Sequence, residues 1–182
     1  YWNDSWTTGP VREGFVPIGT DELAPFQGVF MGGGHVIENL FINRVNEPNV
    51  GLFGYIDFSA SITDLGVGNV SISGDEAVGG LVGYNFGIVD GCYTTGTVTG
   101  AKNLGGLVGE NANTVENCYS LCSVAGGETV GGLIGYNAEG SFISDCYAAG
   151  SVGGSANVGG LIGVGDAVAG AIVSCYWDKE AS

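Results

Sequence analysis

A chain of 182 residues is long enough for one domain with its own core, and 45% apolar residues argue that it folds, although 36 glycines and 4 prolines bring it close to the composition of disordered low-complexity chains. The formal charge of −15 sets 19 acids against four strong bases, Arg12, Arg44, Lys102 and Lys179; this argues against nucleic acid and anionic membrane surfaces as partners, because phosphate binding needs clustered cations. No apolar run approaches the roughly 20 residues of a membrane span, so no membrane insertion is expected within this segment, and the acidity itself is consistent with solubility, salt tolerance or calcium binding without choosing among them.

The chain opens at Tyr1 without Met and without a signal peptide, which predicts an excised domain or a mature product. Its first stretch, YWNDSWTTGPVREGFVPIGTDELAPFQ (residues 1–27), lacks the pattern of everything that follows. Trp2, Trp6, Pro10 and Pro17 suit an N-terminal cap over an open end.

Residues 28–182 repeat. The block Gly79-Gly80-Leu81-Val82-Gly83 returns at Gly105, Gly131 and Gly159, at spacings of 26, 26 and 28, with a fainter copy at Gly51-Leu52-Phe53-Gly54. After each comes an apolar residue, two further residues and a Cys-Tyr pair. These are Val89 with Cys92-Tyr93, Val115 with Cys118-Tyr119, Ile143 with Cys146-Tyr147, and Ile172 with Cys175-Tyr176. Ile37…Leu40 and Ile62…Leu65 read as earlier copies, with leucine in place of cysteine. A third block carries one inward valine, Val98, Val124 or Val152, with Ile72 offset by one residue.

A fixed period of this length marks a repeat architecture, and units so rich in glycine and β-branched residues cannot be helix pairs. Short apolar segments between Gly, Asn, Asp and Ser read as strands, and a unit that cannot bury a face alone must stack on its neighbours. The prediction is an all-β parallel β-solenoid of about six coils. Ile37, Ile62, Val89, Val115, Ile143 and Ile172 form one inward ladder; Leu40, Leu65, Cys92, Cys118, Cys146 and Cys175 form the next. The polar position between them (Asn39, Asp64, Gly91, Asn117, Asp145, Ser174) suits a bulge or left-handed corner. The glycines serve where a positive φ or a close backbone approach is needed. Trp177, in the final CYWDKEAS, is expected to close the far end.

The Gly-Leu-apolar-Gly core followed by Cys-Tyr, together with GFVPIG, FQGVFMGGGHVIENLFI and GLFGYI near the start and CYWD near the end, resembles the GLUG repeat over roughly Gly14 to Asp178. The resemblance implies a right-handed winding and a module of the kind found in bacterial and archaeal surface and secreted proteins, such as haemagglutinin-like adhesins and the non-catalytic regions of IgA-specific metallopeptidases. It brings no catalytic motif with it.

The candidate surfaces follow from the predicted register. Tyr93, Tyr119, Tyr147 and Tyr176 each follow a ladder cysteine, so alternation puts them outside as an aromatic stripe. Such a stripe either stacks on itself to shield a strand face or offers a platform to a sugar or a protein. Tyr55, Tyr84 and Tyr136 form a smaller set that Glu110 interrupts. Asp90 and Glu116 fall on adjacent coils, where two carboxylates either stay solvated or share a calcium ion; EF-hand and nonapeptide calcium patterns are absent. The in-register cysteines read as a reduced, buried ladder, since side chains stacked on parallel strands point the same way and oppose disulfide geometry. Cys122, which replaces Gly96 and Gly150 of its sister coils, is expected at the surface.

No C-x-x-C exists and His35 is the sole histidine, which argues against a zinc site. No nucleophile, metalloprotease or P-loop motif appears, and the Thr94–Thr99 run is not repeated as an ice-binding array would require. No catalytic residue and no cofactor other than calcium is therefore expected. The expectation is a non-enzymatic, extracellular or cell-surface module of a larger protein, a rigid stalk or scaffold meeting a protein or glycan. The alternatives are a carbohydrate-binding or carbohydrate-processing β-helix and an accessory domain of a secreted protease.

Overall fold

The computed structural model describes residues 12–165 and 172–180. Among them no helix forms and strand accounts for 62%, far above the fifth to a quarter usual in globular domains, as a chain wound into stacked coils requires. All strand pairs are parallel. One 14-stranded sheet runs from Val29–Glu38 through the bent strands Ser61–Ser73, Tyr93–Gly105 and Tyr119–Gly131 to Tyr176–Trp177. A second sheet stacks five strands: Phe53–Ile56, Val82–Asn85, Val108–Asn111, Ile134–Asn137 and Ile162–Gly165.

The predicted ladders form from the second coil onward. Ile62, Val89, Val115, Ile143 and Ile172 lie rung on rung, and the first four are fully buried. Leu65 and the cysteines follow in the same register, with the Cys92 N–H donating to Cys118 Sγ at 3.3 Å and the Cys118 N–H to Cys146 Sγ at 3.4 Å. Ile72 pairs with Val98, Val98 with Val124 and Val124 with Val152; the one-residue offset of Ile72 is absorbed by a bulge between Val67 and Val70. Leu81, Leu107 and Leu133 add a further buried set.

From the second coil onward the corner between the first two ladders is left-handed in every copy: φ is 52° at Asp64, 63° at Gly91, 52° at Asn117 and Asp145, and 53° at Ser174. A second left-handed corner precedes each glycine block, at Asn49, Ala77, Asn103, Thr129 and Asn157, with φ from 52° to 60°. The double glycines themselves answer to space. A methyl group on Gly106 would overlap Ser120 Oγ and the Gly132 carbonyl oxygen, so only glycine lets adjacent coils close on one another there.

Three expectations need correction. The first coil is out of register with the reading above: Phe30 lies on Ile62 and His35 on Leu65, whereas Ile37 lies on Val67, and Asn39 donates its N–H to the Gly68 carbonyl. The Gly32-Gly33-Gly34 run causes the slip, since the register shifts between Met31 and His35. The rod winds about five turns rather than about six because the second sheet starts only at Phe53–Ile56. Cys122 is fully buried, because alternation from Val124 turns it inward, opposite Gly96.

At the start of the rod, Trp2, Trp6 and Pro10 lie outside the described residues. Within 12–27, Phe26 packs on Phe53 at 4.9 Å, Ile18 bridges to Phe53, and Arg44 Nε donates to the Phe15 carbonyl at 3.1 Å, so this segment covers the first turns. At the far end Trp177 takes the inward rung held by Thr94, Ser120 and Ala148 in earlier coils, and its ring lies against Gly160.

Candidate interaction surfaces

The left-handed corner aims each cysteine inward and the next residue out, which produces a tyrosine ladder. Tyr93 and Tyr119 stack with ring centroids 4.8 Å apart and planes 1° apart; Tyr119 and Tyr147 stack at 4.9 Å and 6°. Tyr176 follows in backbone register on Tyr147. The ladder begins at Gly66, where a Cβ would stand 2.5 Å from Tyr93 Cζ. Burial between its neighbours, with smaller contributions from Tyr147 and Tyr93, raises the pKa of Tyr119. Tyr119 spends both faces on other rings and presents its edge and hydroxyl to solvent, while Tyr93 and Tyr147 each stack on it by one face.

The second sheet carries the interrupted set. Tyr55 and Tyr84 stack at 4.7 Å with planes 2° apart, and the rungs above Tyr84 are Glu110, Tyr136 and Val164. Glu110 is half-buried and accepts a hydrogen bond from Asn103 Nδ2 at 3.0 Å. Burial pushes its carboxyl pKa up, and the charge of Glu76 adds to this, against the Asn103 hydrogen bond and Lys102. Burial beside Glu110 likewise raises Tyr84. A notch of about 410 Å³ lies beside these rungs, lined by Glu110, Tyr136 and Val164 of the second sheet and by the corner residues Asn103, Thr129 and Asn157. Lys102 pairs with Glu76 at its rim, at 2.6 Å.

One internal feature supports this surface and escaped the sequence reading. Asn85, Asn111 and Asn137, each following a residue of the interrupted set, point inward and chain together: Asn85 Nδ2 donates to Asn111 Oδ1 at 2.7 Å, and Asn111 Nδ2 to Asn137 Oδ1 at 2.8 Å. The signal was the recurring Asn in GYN, GEN and GYN.

Asp90 and Glu116 do sit on adjacent rungs. Each also takes a neutral donor from the next coil: Asn117 Nδ2 to Asp90 Oδ1 at 2.8 Å, and Ser144 Oγ to Glu116 Oε1 at 3.4 Å. Among the described residues no group of three or more His, Cys, Asp or Glu comes together as metal ligands. The five cysteines are free thiols, and burial raises Cys118 and Cys122 above the ordinary thiol range. His35 is exposed on the strand Val29–Glu38.

Parallel coils, inward ladders of Ile, Val, Leu and Cys, and outward ladders of Tyr define a β-solenoid of short repeats. Residues 74–99 match the family described as the GLUG motif, and the resemblance read from the repeats holds. The chain is 38% identical over 95 residues to halomucin of Haloquadratum walsbyi, covering 51% of this chain and 1% of that protein. It is 36% identical over 84 residues to a protein of Evansella cellulosilytica described as a Gly-rich membrane protein, covering 44% of this chain and 10% of that one. Among solved structures, one from Bacteroides ovatus described as an immunoglobulin A1 protease is similar with a TM-score of 0.71 and 26% identity, over 90% of this chain and 52% of that one. The chain thus spans only a small fraction of the two curated relatives and about half of the solved one.

Proposed function

We propose that this chain is a non-enzymatic module of a larger extracellular or cell-surface protein, acting as a stiff stalk and as a scaffold for adhesion or protein contacts. The observation that carries the reading is the parallel pairing of the described strands from Ser61–Ser73 to Tyr176–Trp177, in which each turn is held by the next. The likeness to small parts of long proteins, one described as a membrane protein, supports a module within a larger whole. The Bacteroides ovatus likeness also supports placement as an accessory region of a secreted protease. A second reading, carbohydrate binding, draws on the outward tyrosine stripe and on the notch lined by Glu110 and Tyr136. The test is to incubate the purified domain with immunoglobulin A1 and with polysaccharides, and to pull it in a force spectrometer. Intact substrates and cooperative rupture at high force are expected. Cleavage of either substrate class, or a chain that extends without resistance, contradicts the scaffold reading.

A further inference from the structure

Attachment of a sugar to asparagine asks three things of a chain: a Ser or Thr two residues after the Asn with no Pro between, exposure of both side chains, and room around the amide for a bulky group. Of the asparagines in this chain only Asn3 and Asn69 have Ser at that position, and Asn3 lies outside the described residues. Asn69-Val70-Ser71 belongs to the bent strand Ser61–Ser73. Val70 is buried in the core, while Asn69 and Ser71 on either side of it are exposed, so the acceptor amide and the hydroxyl face outward together.

The backbone singles this position out. Val67 lies on Thr94 and Val70 on Gly96, so the strand carries one extra residue between them, and Asn69 stands on the resulting bulge at φ 51°. In the next coils Thr95 and Leu121 pair with no such shift. The Asn69 N–H donates to Thr95 Oγ1 at 2.9 Å, which pins the bulge, and Asn69 Nδ2 donates to Asn39 Oδ1 at 2.6 Å. That bond uses one of the two amide hydrogens, so replacement of the other leaves the side chain held. The surrounding face is unusual for a chain of charge −15: residues 65–73 and 93–101, which lie on one another, include no Asp, Glu, Lys or Arg. Glu38 of the preceding coil lies over Gly68 at the edge of this patch. Ser71 faces Thr97 and Ser73 faces Thr99, the last two with their hydroxyls bonded at 2.7 Å. A neutral, hydroxyl-bearing face suits a polyhydroxylated chain laid along it and does not repel a sugar donor carried on phosphate.

We propose that Asn69 is a site of N-linked glycosylation, with Ser71 as the hydroxyl that a glycosyltransferase requires and a polyprenyl-phosphate-linked or polyprenyl-pyrophosphate-linked oligosaccharide as the donor. Asn69 Nδ2 attacks the anomeric carbon of the donor's first sugar. The N–C bond forms, the bond from that carbon to the phosphate oxygen breaks, one amide proton passes to a base of the transferase, and the polyprenyl phosphate or pyrophosphate leaves with the electron pair. The reaction is a displacement and needs no oxidant or reductant. This rests on the extracellular or cell-surface reading, since the acceptor pattern is used in proteins that leave the cytoplasm. The attached sugar covers the bulge, the place where strand pairing on this face is interrupted.

The experiment is glycopeptide mass spectrometry of the full-length protein isolated from the cells that make it, alongside digestion of intact cells by an external protease. A peptide carrying Asn69 with added hexose or hexosamine mass is expected, with fragmentation placing the mass on Asn69. The added mass should disappear in Asn69→Gln and in Ser71→Ala, and persist in Ser73→Ala. Ser71→Ala leaves the left-handed asparagine in place, so loss of the sugar there is not an effect of a disturbed bulge, and thermal melts of all three variants establish that they are folded. Unmodified Asn69 in protein that the external protease reaches overturns the site and leaves the surface reading standing. Unmodified Asn69 in protein that is shielded from the protease and absent from the medium overturns both. Added mass that survives in Ser71→Ala, or that maps to another residue, also overturns the proposal.

Discussion

The two tyrosine ladders lie on the same rod and obey the same rung spacing, yet they are built differently. In the first, Tyr93, Tyr119 and Tyr147 close on each other at 4.8 and 4.9 Å and shield the strand beneath. In the second, Tyr55 and Tyr84 begin the same stack at 4.7 Å, and then a carboxylate takes one place. A filled stack of rings is an internal contact that happens to lie at the surface. Where Glu110 replaces a ring, a half-buried carboxylate and the corner residue Asn103 meet at the surface instead. In a solenoid, then, a regular rung and an irregular one give the same rod two different surfaces.

The largest effect comes from breaking what both ladders stand on. Gly106→Val forces a side chain into the Gly132 carbonyl and Ser120 of the neighbouring strand and is expected to cost about 3 kcal/mol or more. Lys102→Ala, which removes an exposed ion pair, should stay within about 1 kcal/mol. Equal melting temperatures for these two variants would refute the coil register. Next comes an exchange of the ladders' characters. Tyr119→Glu opens the complete stack at its centre and removes two stacked pairs, an expected loss of about 1–3 kcal/mol, whereas Glu110→Tyr should gain stability by a similar or smaller amount. Chemical denaturation of the two variants reads this directly, and a destabilised Glu110→Tyr would mean that a ring on this rung does not stack on its neighbours.

Smaller effects sharpen the comparison at the corners and in pH. Thr129 holds φ at 60°, a conformation unfavourable for a β-branched residue, so Thr129→Asn should stabilise by about 1 kcal/mol, seen as a raised denaturation midpoint. The raised pKa of Glu110 means that the folded state holds its proton more tightly than the unfolded chain does. Its contribution is therefore favourable below the unfolded-state pKa and is lost as pH rises through the folded-state pKa. Melting temperatures of the parent and Glu110→Gln, compared from acid to neutral pH, should diverge in that window, with the variant gaining relative to the parent as pH rises. Parallel curves would show that Glu110 is solvated like any surface acid.

Sequence spacing revealed the ladders wherever the period was constant, since a rung position repeats whenever the coil length does. It failed in the first coil, where three consecutive glycines slip the register and the true partner of Ile62 is Phe30, a residue with no counterpart in the later blocks. The left-handed corners at Asn39, Asp64 and Asn117 were legible because Asn and Asp favour that conformation. Those at Ala77 and Thr129 were not, since neither residue type signals it; only their alignment with Asn103 and Asn157 does. Cys122 was misplaced because its glycine counterparts suggested an open position, although alternation from Val124 already pointed it inward. Of the surfaces, the tyrosine stripes were readable one residue at a time. The notch was not, because it arises between Glu110 and corner residues that other turns bring beside it.

The most direct test of stacked, unequal ladders is a set of nuclear Overhauser contacts between side chains one and two turns apart. Ring-to-ring contacts for Tyr93 with Tyr119, Tyr119 with Tyr147 and Tyr55 with Tyr84 are expected, with none between Tyr84 and Tyr136. A direct Tyr84–Tyr136 ring contact, or the absence of the Tyr93–Tyr119 contact, would contradict the account.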